Sequence, residues 1–234
     1  MSKPSSAVPS VILLSGGLDS SANLAFACAR DTAVLALHAD YGQRAEASEW
    51  KAAERLAAYY GVRLEKLDLR WLGALGGSSL TERARAVPEL AASELDELPR
   101  IRETAQAVWV PNRNGVLIQA AAAYAERLGA RRVVVGFNRE EATTFPDNTQ
   151  DFLERSTHAL ELSTRNGVEV HCYTTAWDKT EIIENLKSLP KRFPHELVWS
   201  CYHSGEAPCG KCESCGRRAR ALASAGIEVR GESV

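Results

Sequence analysis

Val11-Ile12-Leu13-Leu14-Ser15-Gly16-Gly17-Leu18-Asp19-Ser20 is the stretch whose reading decides the fold. Val11 to Leu14 are apolar, β-branched at the start, and predict a buried strand. Ser15-Gly16-Gly17 turns the chain sharply. Asp19-Ser20 opens a run, Ser21 to Arg30, rich in Ala and free of Gly and Pro, which predicts a helix. A strand, a glycine turn and a helix N-terminus make an anion site: glycines let backbone N–H groups approach a phosphate, and the helix dipole favours negative charge. The hydroxyls of Ser15 and Ser20 add donors. The plain alternative is a tight turn with no ligand. No G-x-x-x-x-G-K-[ST] loop occurs in the chain.

Outward from that stretch, Ala33 to Ala39 predicts a second strand, and strand–helix–strand over about 30 residues is a right-handed βαβ unit with a parallel sheet. Asp40-Tyr41-Gly42-Gln43-Arg44 follows at the carboxyl edge, where open α/β sheets bind ligands. Glu46 to Tyr60 predicts a helix with Trp50, Ala53, Leu56, Ala57 and Tyr60 on one face, ended by Gly61. Val62 to Leu69 predicts a third strand. Trp71 to Gln106 reads as an irregular excursion with a short acidic helix over Glu89 to Leu98, bracketed by Pro88 and Pro99; a lid and a plain insertion both fit. Val116 to Leu128 predicts an Ala-rich helix, Arg132 to Phe137 a fourth strand, Asn138 to Asn148 a polar loop, Thr149 to Ser163 a helix and Val168 to Tyr173 a fifth strand. Asp178 and Glu181 form a capping box for the next helix. Alternating strands and helices predict an α/β doubly wound, five-stranded parallel sheet.

The 234 residues include 45% apolar residues, enough for a sizeable core, and the net charge of −2 offers no basic surface for nucleic acid. No run approaches the roughly 20 apolar residues of a membrane span. The first nine residues have no apolar segment of the signal-peptide kind and read as a disordered lead-in, so a cytoplasmic protein is the default expectation. Residues 10–190 are expected to form the nucleotide-binding domain, with 71–107 as its excursion, and residues 191–234 a segment packed on it. His38, Cys28 and Cys172 read as packed residues.

Cys201, Cys209, Cys212 and Cys215 have the spacing C-x7-C-x2-C-x2-C. In a reducing compartment such a cluster holds metal more readily than disulfides. Zinc fits best, as a closed structural site with no position left for a catalytic water; an iron–sulfur cluster or free thiols are the alternatives.

Seven segments recur in a telling order: Leu13–Ser20, Ala36–Arg44, Gly76–Thr81, Val110–Asn114 with the Ala-rich helix behind it, GFN at Gly136–Asn138 with Pro146-Asp147, Asp178–Ile182, and Trp199–Cys215. Together they resemble the QueC family, 7-cyano-7-deazaguanine synthases within the PP-loop ATPases. The resemblance implies strand order 3-2-1-4-5 and ATP with Mg²⁺ and structural Zn²⁺ as cofactors. It implies adenylation of the carboxylate of 7-carboxy-7-deazaguanine, attack by ammonia to give an amide, and a second activation that leaves the nitrile. For ATP it implicates Ser15, Gly16, Gly17, Leu18, Asp19, Ser20, Ala39, Arg44 and Gly136. Lys179, Asp19 and Arg113 are the implied catalytic residues, with Mg²⁺ binding or helix capping as other readings of Asp19. Tyr41, Gln43, Arg113, Asn114, Asn138, Phe145 and Asp147 are implied for the substrate.

Two departures from the family pattern stand out. Asn112 replaces the glycine of VPGRN, and Glu141 to Thr149 replaces a loop of the form D-x-SGYPDCR. Such changes fit a kept activation step with an altered acceptor, and equally fit divergence. The competing expectations are therefore a ligase that joins the deazaguanine carboxyl to another amine, such as a protein N-terminus in anti-phage defence, a non-catalytic nucleotide-binding module, and a tRNA-acting PP-loop enzyme. A homodimer is left open.

Overall fold

β1 (Pro9–Leu13) lies at the centre of a five-stranded sheet in the computed structural model, which describes residues 7–229. β2 (Thr32–Asp40) and β3 (Leu64–Asp68) extend it to one side, β4 (Arg132–Val134) and β5 (Glu169–His171) to the other. Every pairing is parallel and the order is β3-β2-β1-β4-β5. The predicted sheet and its order are thus found. The chain changes direction across the sheet between β1 and β4, and the crevice at their carboxyl ends is the topological switch point.

Alternation along β1 builds the two layers. Val11 faces one core with Val133 and Val135, covered by α5 (Arg113–Arg127) and α7 (Gln150–Ser163). Ile12 and Leu14 face the opposite core, covered by α1 (Leu18–Arg30) and α2 (Glu46–Tyr60). A third apolar cluster joins α1 to α8 (Lys179–Leu186) and α9 (Glu213–Ser224) through Leu18, Phe26, Ile182, Ile183, Ala221 and Leu222. Through it the C-terminal segment packs on the helix that follows the glycine turn. No described helix is long and apolar enough to cross a membrane.

The structure corrects three boundaries. Pro9 already belongs to β1, so the lead-in expected over 1–9 is shorter, and residues 1–6 lie outside the described residues. No helix spans Glu89 to Leu98. Glu89 bridges to Cys212, Leu90 N–H donates to the Lys211 carbonyl, and only a 3₁₀ turn at Ala92–Glu94 forms. Pro99 lies in the first turn of α4 (Leu98–Val108), where a missing N–H is tolerated, so it starts a helix instead of ending one. The loop expected after β4 contains α6 (Arg139–Ala142) and a 3₁₀ turn at Pro146–Asn148.

The excursion is anchored. It also holds a short helix, α3 (Arg70–Ala74). Ser79 N–H donates to the Ala107 carbonyl, and the Thr104 hydroxyl donates to Glu213 at 2.7 Å. Asn112 has φ +51°, the left-handed conformation that Asn tolerates best after Gly. The exchange of glycine for Asn112 therefore keeps the backbone path into α5.

Candidate active site

A cleft opens at the switch point. The turn after β1 forms its floor, the Tyr41–Glu49 segment one side, and the start of α5 with the α6 loop the other. The floor is held by its own side chains. Ser15 Oγ and Ser20 Oγ lie 2.9 Å apart, Gly17 N–H donates to Ser15 Oγ at 3.2 Å, and Ser20 Oγ donates to the Gly17 carbonyl at 3.1 Å. Leu18 N–H donates to Ser200 Oγ at 3.3 Å. These hydroxyls keep donors pointed into a loop that a phosphate can enter by exchanging one acceptor for another.

The two glycines that matter here serve close packing. A Cβ on Gly16, at φ +91°, would lie 2.8 Å from the Glu49 carbonyl oxygen of α2. Gly16 is therefore not part of the cleft wall; it lets α2 press against the turn. A Cβ on Gly136 would strike the backbone of Ser20, so Gly136 brings the end of β4 against the start of α1.

Lys179 is the centre of charge. Its Nζ lies 2.6 Å from Asp19 Oδ2 and 3.0 Å from Glu141 Oε1, and the side chain is only 6% exposed. The capping box of Asp178 and Glu181 fixes the first turn of α8 and with it the lysine. Burial opposes charge on Lys179, but Asp19 and Glu141 outweigh it and hold the ammonium well above its ordinary range. Burial raises the Asp19 carboxyl against the pull of Lys179. Its Oδ1 is buried without a hydrogen-bond partner. Asp19 does not cap α1; Gly17 occupies that position.

Arg113, the first residue of α5, supplies a second cation. Its Nε donates to Asn114 Oδ1 at 3.2 Å, its guanidinium lies 5.8 Å from the Tyr41 ring centroid, and it makes no ion pair among the described residues. Gln43 organises the opposite side: it accepts from Tyr41 N–H and donates to the Ala39 carbonyl and to Glu49 Oε2. Burial pushes the Glu49 carboxyl up to about 7. Asn114 Nδ2 reaches the Asp147 carbonyl at 3.4 Å and ties α5 to the α6 loop.

Ser15, Gly17, Leu18, Asp19, Ser20, Ala39, Tyr41, Gln43, Arg113, Asn114, Gly136, Phe145, Asp147 and Lys179 all line this one cleft. Three expected residues do not: Gly16, which packs against α2, Arg44 and Asn138. Arg44 turns outward and its guanidinium donates to the carbonyls of Glu82 at 2.6 Å and Arg85 at 2.7 Å, pinning the excursion. Asn138 is fully buried and caps α6, accepting from Glu141 N–H at 2.9 Å. The sequence reading missed Glu49, Trp109, Glu141, Trp199, Ser200, Tyr202 and Ser214. Glu141 stood in the segment that departs from the family pattern, and an acid there was the available signal.

The four cysteines meet beside the cleft. Their sulfurs all lie within 4.8 Å of one another, and Cys209 Sγ is 3.9 Å from Cys215 Sγ. Zinc–sulfur bonds of about 2.3 Å arranged tetrahedrally put sulfurs about 3.8 Å apart, so the donor set fits that ion. Backbone N–H groups of His203 and Cys209 donate to Cys201 Sγ, and that of Cys212 donates to Cys209 Sγ. Trp199, Ser200, Tyr202 and Ser214, which alternate with the cysteines, carry this cluster into the cleft wall.

The family model "Queuosine biosynthesis protein QueC" matches residues 9–226. Among curated relatives, the 7-cyano-7-deazaguanine synthase of Desulforudis audaxviator is 49% identical over 92% of this chain and 97% of its own. The synthases of Bdellovibrio bacteriovorus and Methanosarcina mazei are 47% and 45% identical, each over more than nine-tenths of both chains. The solved NMN synthetase of Francisella tularensis is a looser likeness, at 13% identity and a TM-score of 0.48 over 97% of this chain and 80% of that one. With a family model spanning nearly all the described residues and full-length relatives near half identity, the chain belongs to the QueC family.

Proposed function

We propose that this protein is an AMP-forming ligase that converts 7-carboxy-7-deazaguanine and ammonia to 7-cyano-7-deazaguanine at the expense of two ATP. A carboxylate is a poor electrophile because its leaving group would be oxide. A carboxylate oxygen attacks the α-phosphorus of ATP, pyrophosphate leaves, and the acid becomes an acyl adenylate. Ammonia adds to the carbonyl carbon, AMP departs and a proton is released, giving the amide. The amide oxygen then attacks the α-phosphorus of a second ATP, pyrophosphate leaves, and loss of AMP with two protons gives the nitrile. Both carboxylate oxygens therefore end on AMP.

The observation that supports this reading is the presence of two cations, Lys179 and Arg113, in one cleft. Lys179 sits beside the glycine turn, suited to phosphate charge, and Arg113, without an ion pair among the described residues, lines the same cleft, suited to the substrate carboxylate. Gly17, Leu18 and the hydroxyls of Ser15 and Ser20 would cradle pyrophosphate. The unpartnered Oδ1 of Asp19, with Glu141 nearby, fits a Mg²⁺ ion. Such an ion supplies charge neutralisation on the phosphates. Zinc on Cys201, Cys209, Cys212 and Cys215 would hold the wall residues between them in place, with no coordination position left over for chemistry. The full-length match to relatives that carry the synthase name favours the nitrile over an amide made with another amine.

The test uses acid labelled with ¹⁸O in both carboxylate oxygens, together with Mg-ATP and ammonia. Mass spectrometry is expected to find unlabelled nitrile and two AMP per product, each with one ¹⁸O. An amide that goes no further, retaining one label, would show that activation stops after one round and that the acceptor differs. Absence of labelled AMP would remove the adenylation mechanism.

A further inference from the structure

One wall of the cleft carries two aromatic rings that no part of the proposed chemistry uses. Trp109 follows α4 directly, four residues before Arg113, and Phe145 follows α6, whose Glu141 carbonyl accepts its N–H. The rings are 8° from parallel with centroids 6.1 Å apart, and both line the cleft. A flat ring system placed between them needs two stacking gaps of about 3.4 Å, so the rings must part by at least about 0.7 Å to admit it. Two residues on from Phe145, Asp147 also lines the cleft and makes no ion pair among the described residues. The hydrogen bond from Asn114 to the Asp147 carbonyl fixes the distance between the two elements.

We propose that Trp109 and Phe145 sandwich the fused ring plane of a guanine-type acid, and that the Asp147 carboxylate accepts from its N1–H and 2-amino group. This rests on the functional reading above and names the part of the site that selects the substrate ring. Every base has a π-face, so the sandwich supplies affinity without choosing among rings. The choice comes from the edge. Guanine-type rings present two adjacent donors, which a carboxylate oxygen pair accepts; an adenine-type ring presents an acceptor at N1 and no 2-amino group, and meets the carboxylate unfavourably. The same carboxylate thus admits the deazaguanine and turns away the adenine of ATP, which must occupy the cleft elsewhere.

The experiment is steady-state AMP release with 7-carboxy-7-deazaguanine, Mg-ATP and ammonia, paired with calorimetric binding of the acid alone. W109A and F145A are expected to raise KM for the acid, and its dissociation constant, by roughly 10- to 100-fold, leaving KM for ATP within about twofold. W109F retains most of the affinity and guards against loss of fold. D147N is expected to raise KM for the acid and to abolish wild-type discrimination against the analogue lacking the 2-amino group. Unchanged acid KM in both aromatic variants would overturn the sandwich, as would a rise in KM for ATP instead, which would seat the adenine there. Undiminished discrimination in D147N would overturn the edge assignment. The two proposals separate cleanly. Wild type that binds the acid but releases no AMP defeats the functional reading, while loss of that binding in W109A upholds the sandwich.

Discussion

The glycine turn and the cysteine cluster both shape the cleft, but they are held by different forces. The turn is tied by the hydroxyls of Ser15 and Ser20, pressed by α2 at Gly16 and by β4 at Gly136, and so is fixed by the same packing that forms the sheet. The cluster has only a small apolar patch around it, chiefly Val87, Trp199 and Tyr202. Four sulfurs within 4.8 Å are its main organising feature. With a metal on those sulfurs, a wall of that kind would depend on the ion for definition, whereas the floor depends on the fold. Perturbing one should leave the other standing, and the variants below test that separation.

Cys212→Ser carries the largest expected effect. Cys212 contributes a sulfur to the cluster, begins α9 and pairs with Glu89 of the excursion, so its loss loosens three elements together. Structural zinc binding in small domains is worth about 10–16 kcal/mol, much of it spent on ordering the segment. The variant is expected to lose bound metal and at least about 3 kcal/mol of stability, roughly 10 °C for a chain of this length. Limited proteolysis should cut first between 199 and 229 and leave the sheet intact. Full metal content in the variant would remove Cys212 from the ligand set. Simultaneous proteolysis of the sheet would mean that floor and wall are one cooperative unit.

Lys179→Met strikes the other region. AMP formation is expected to fall about 10²- to 10³-fold, the usual effect of deleting one group that stabilises developing phosphate charge. Asp19 and Glu141 then face each other without the ammonium, and one takes up a proton, so melting should shift by only a few degrees. Bound metal should be unchanged. A variant that keeps its AMP release would take Lys179 out of the chemistry, and one that loses metal would break the independence of the two regions.

How much of this could be read from the chain depends on which physical signal carried it. Glu46–Tyr60 was legible to the residue, because its apolar face repeats at helical spacing and Gly61 takes the left-handed stop at φ +71°. The glycine turn was legible as an anion loop, since strand, turn and helix announce themselves by composition. The function of Gly16 was not, because its reason is α2, thirty residues downstream. Arg44 shows the same limit. A residue at the carboxyl edge of β2 could face either way, and the carbonyls of Glu82 and Arg85 that hold it outward come from the excursion. Asn138 was misread because a polar residue after a strand serves equally as a ligand or a cap, and only the following turn decides. Pro99 reads from composition as a stop, but it stands in a first turn, where its missing N–H costs nothing.

The smallest expected effect is a difference in the sign of pH dependence between the two regions. Glu49, on the cleft side, is raised by burial from about 4.5 to about 7, so the native state holds a proton that the unfolded chain has lost across that window. Its contribution to stability is present at low pH and falls as pH rises through 7. Glu49→Gln removes the penalty: at pH 8 it should melt above wild type by an amount worth about 1 kcal/mol, and the difference should vanish near pH 5. His195, in the C-terminal region, is buried beside Phe193 of the cluster that joins α1 to α8 and α9, and is lowered to about 4, first by burial and then by the nearby Arg218. Here the unfolded chain binds the proton, so stability is lost as pH falls from about 6.5 toward 4. His195→Asn should therefore gain on wild type in acid and match it at pH 8. Metal loss in acid shifts both proteins alike, so the comparison rests on variant minus wild type at each pH. Parallel melting curves for either pair would mean that the group is solvated in the folded protein. Opposite slopes would show that the cleft keeps a carboxylate at a cost to stability that the C-terminal region does not share.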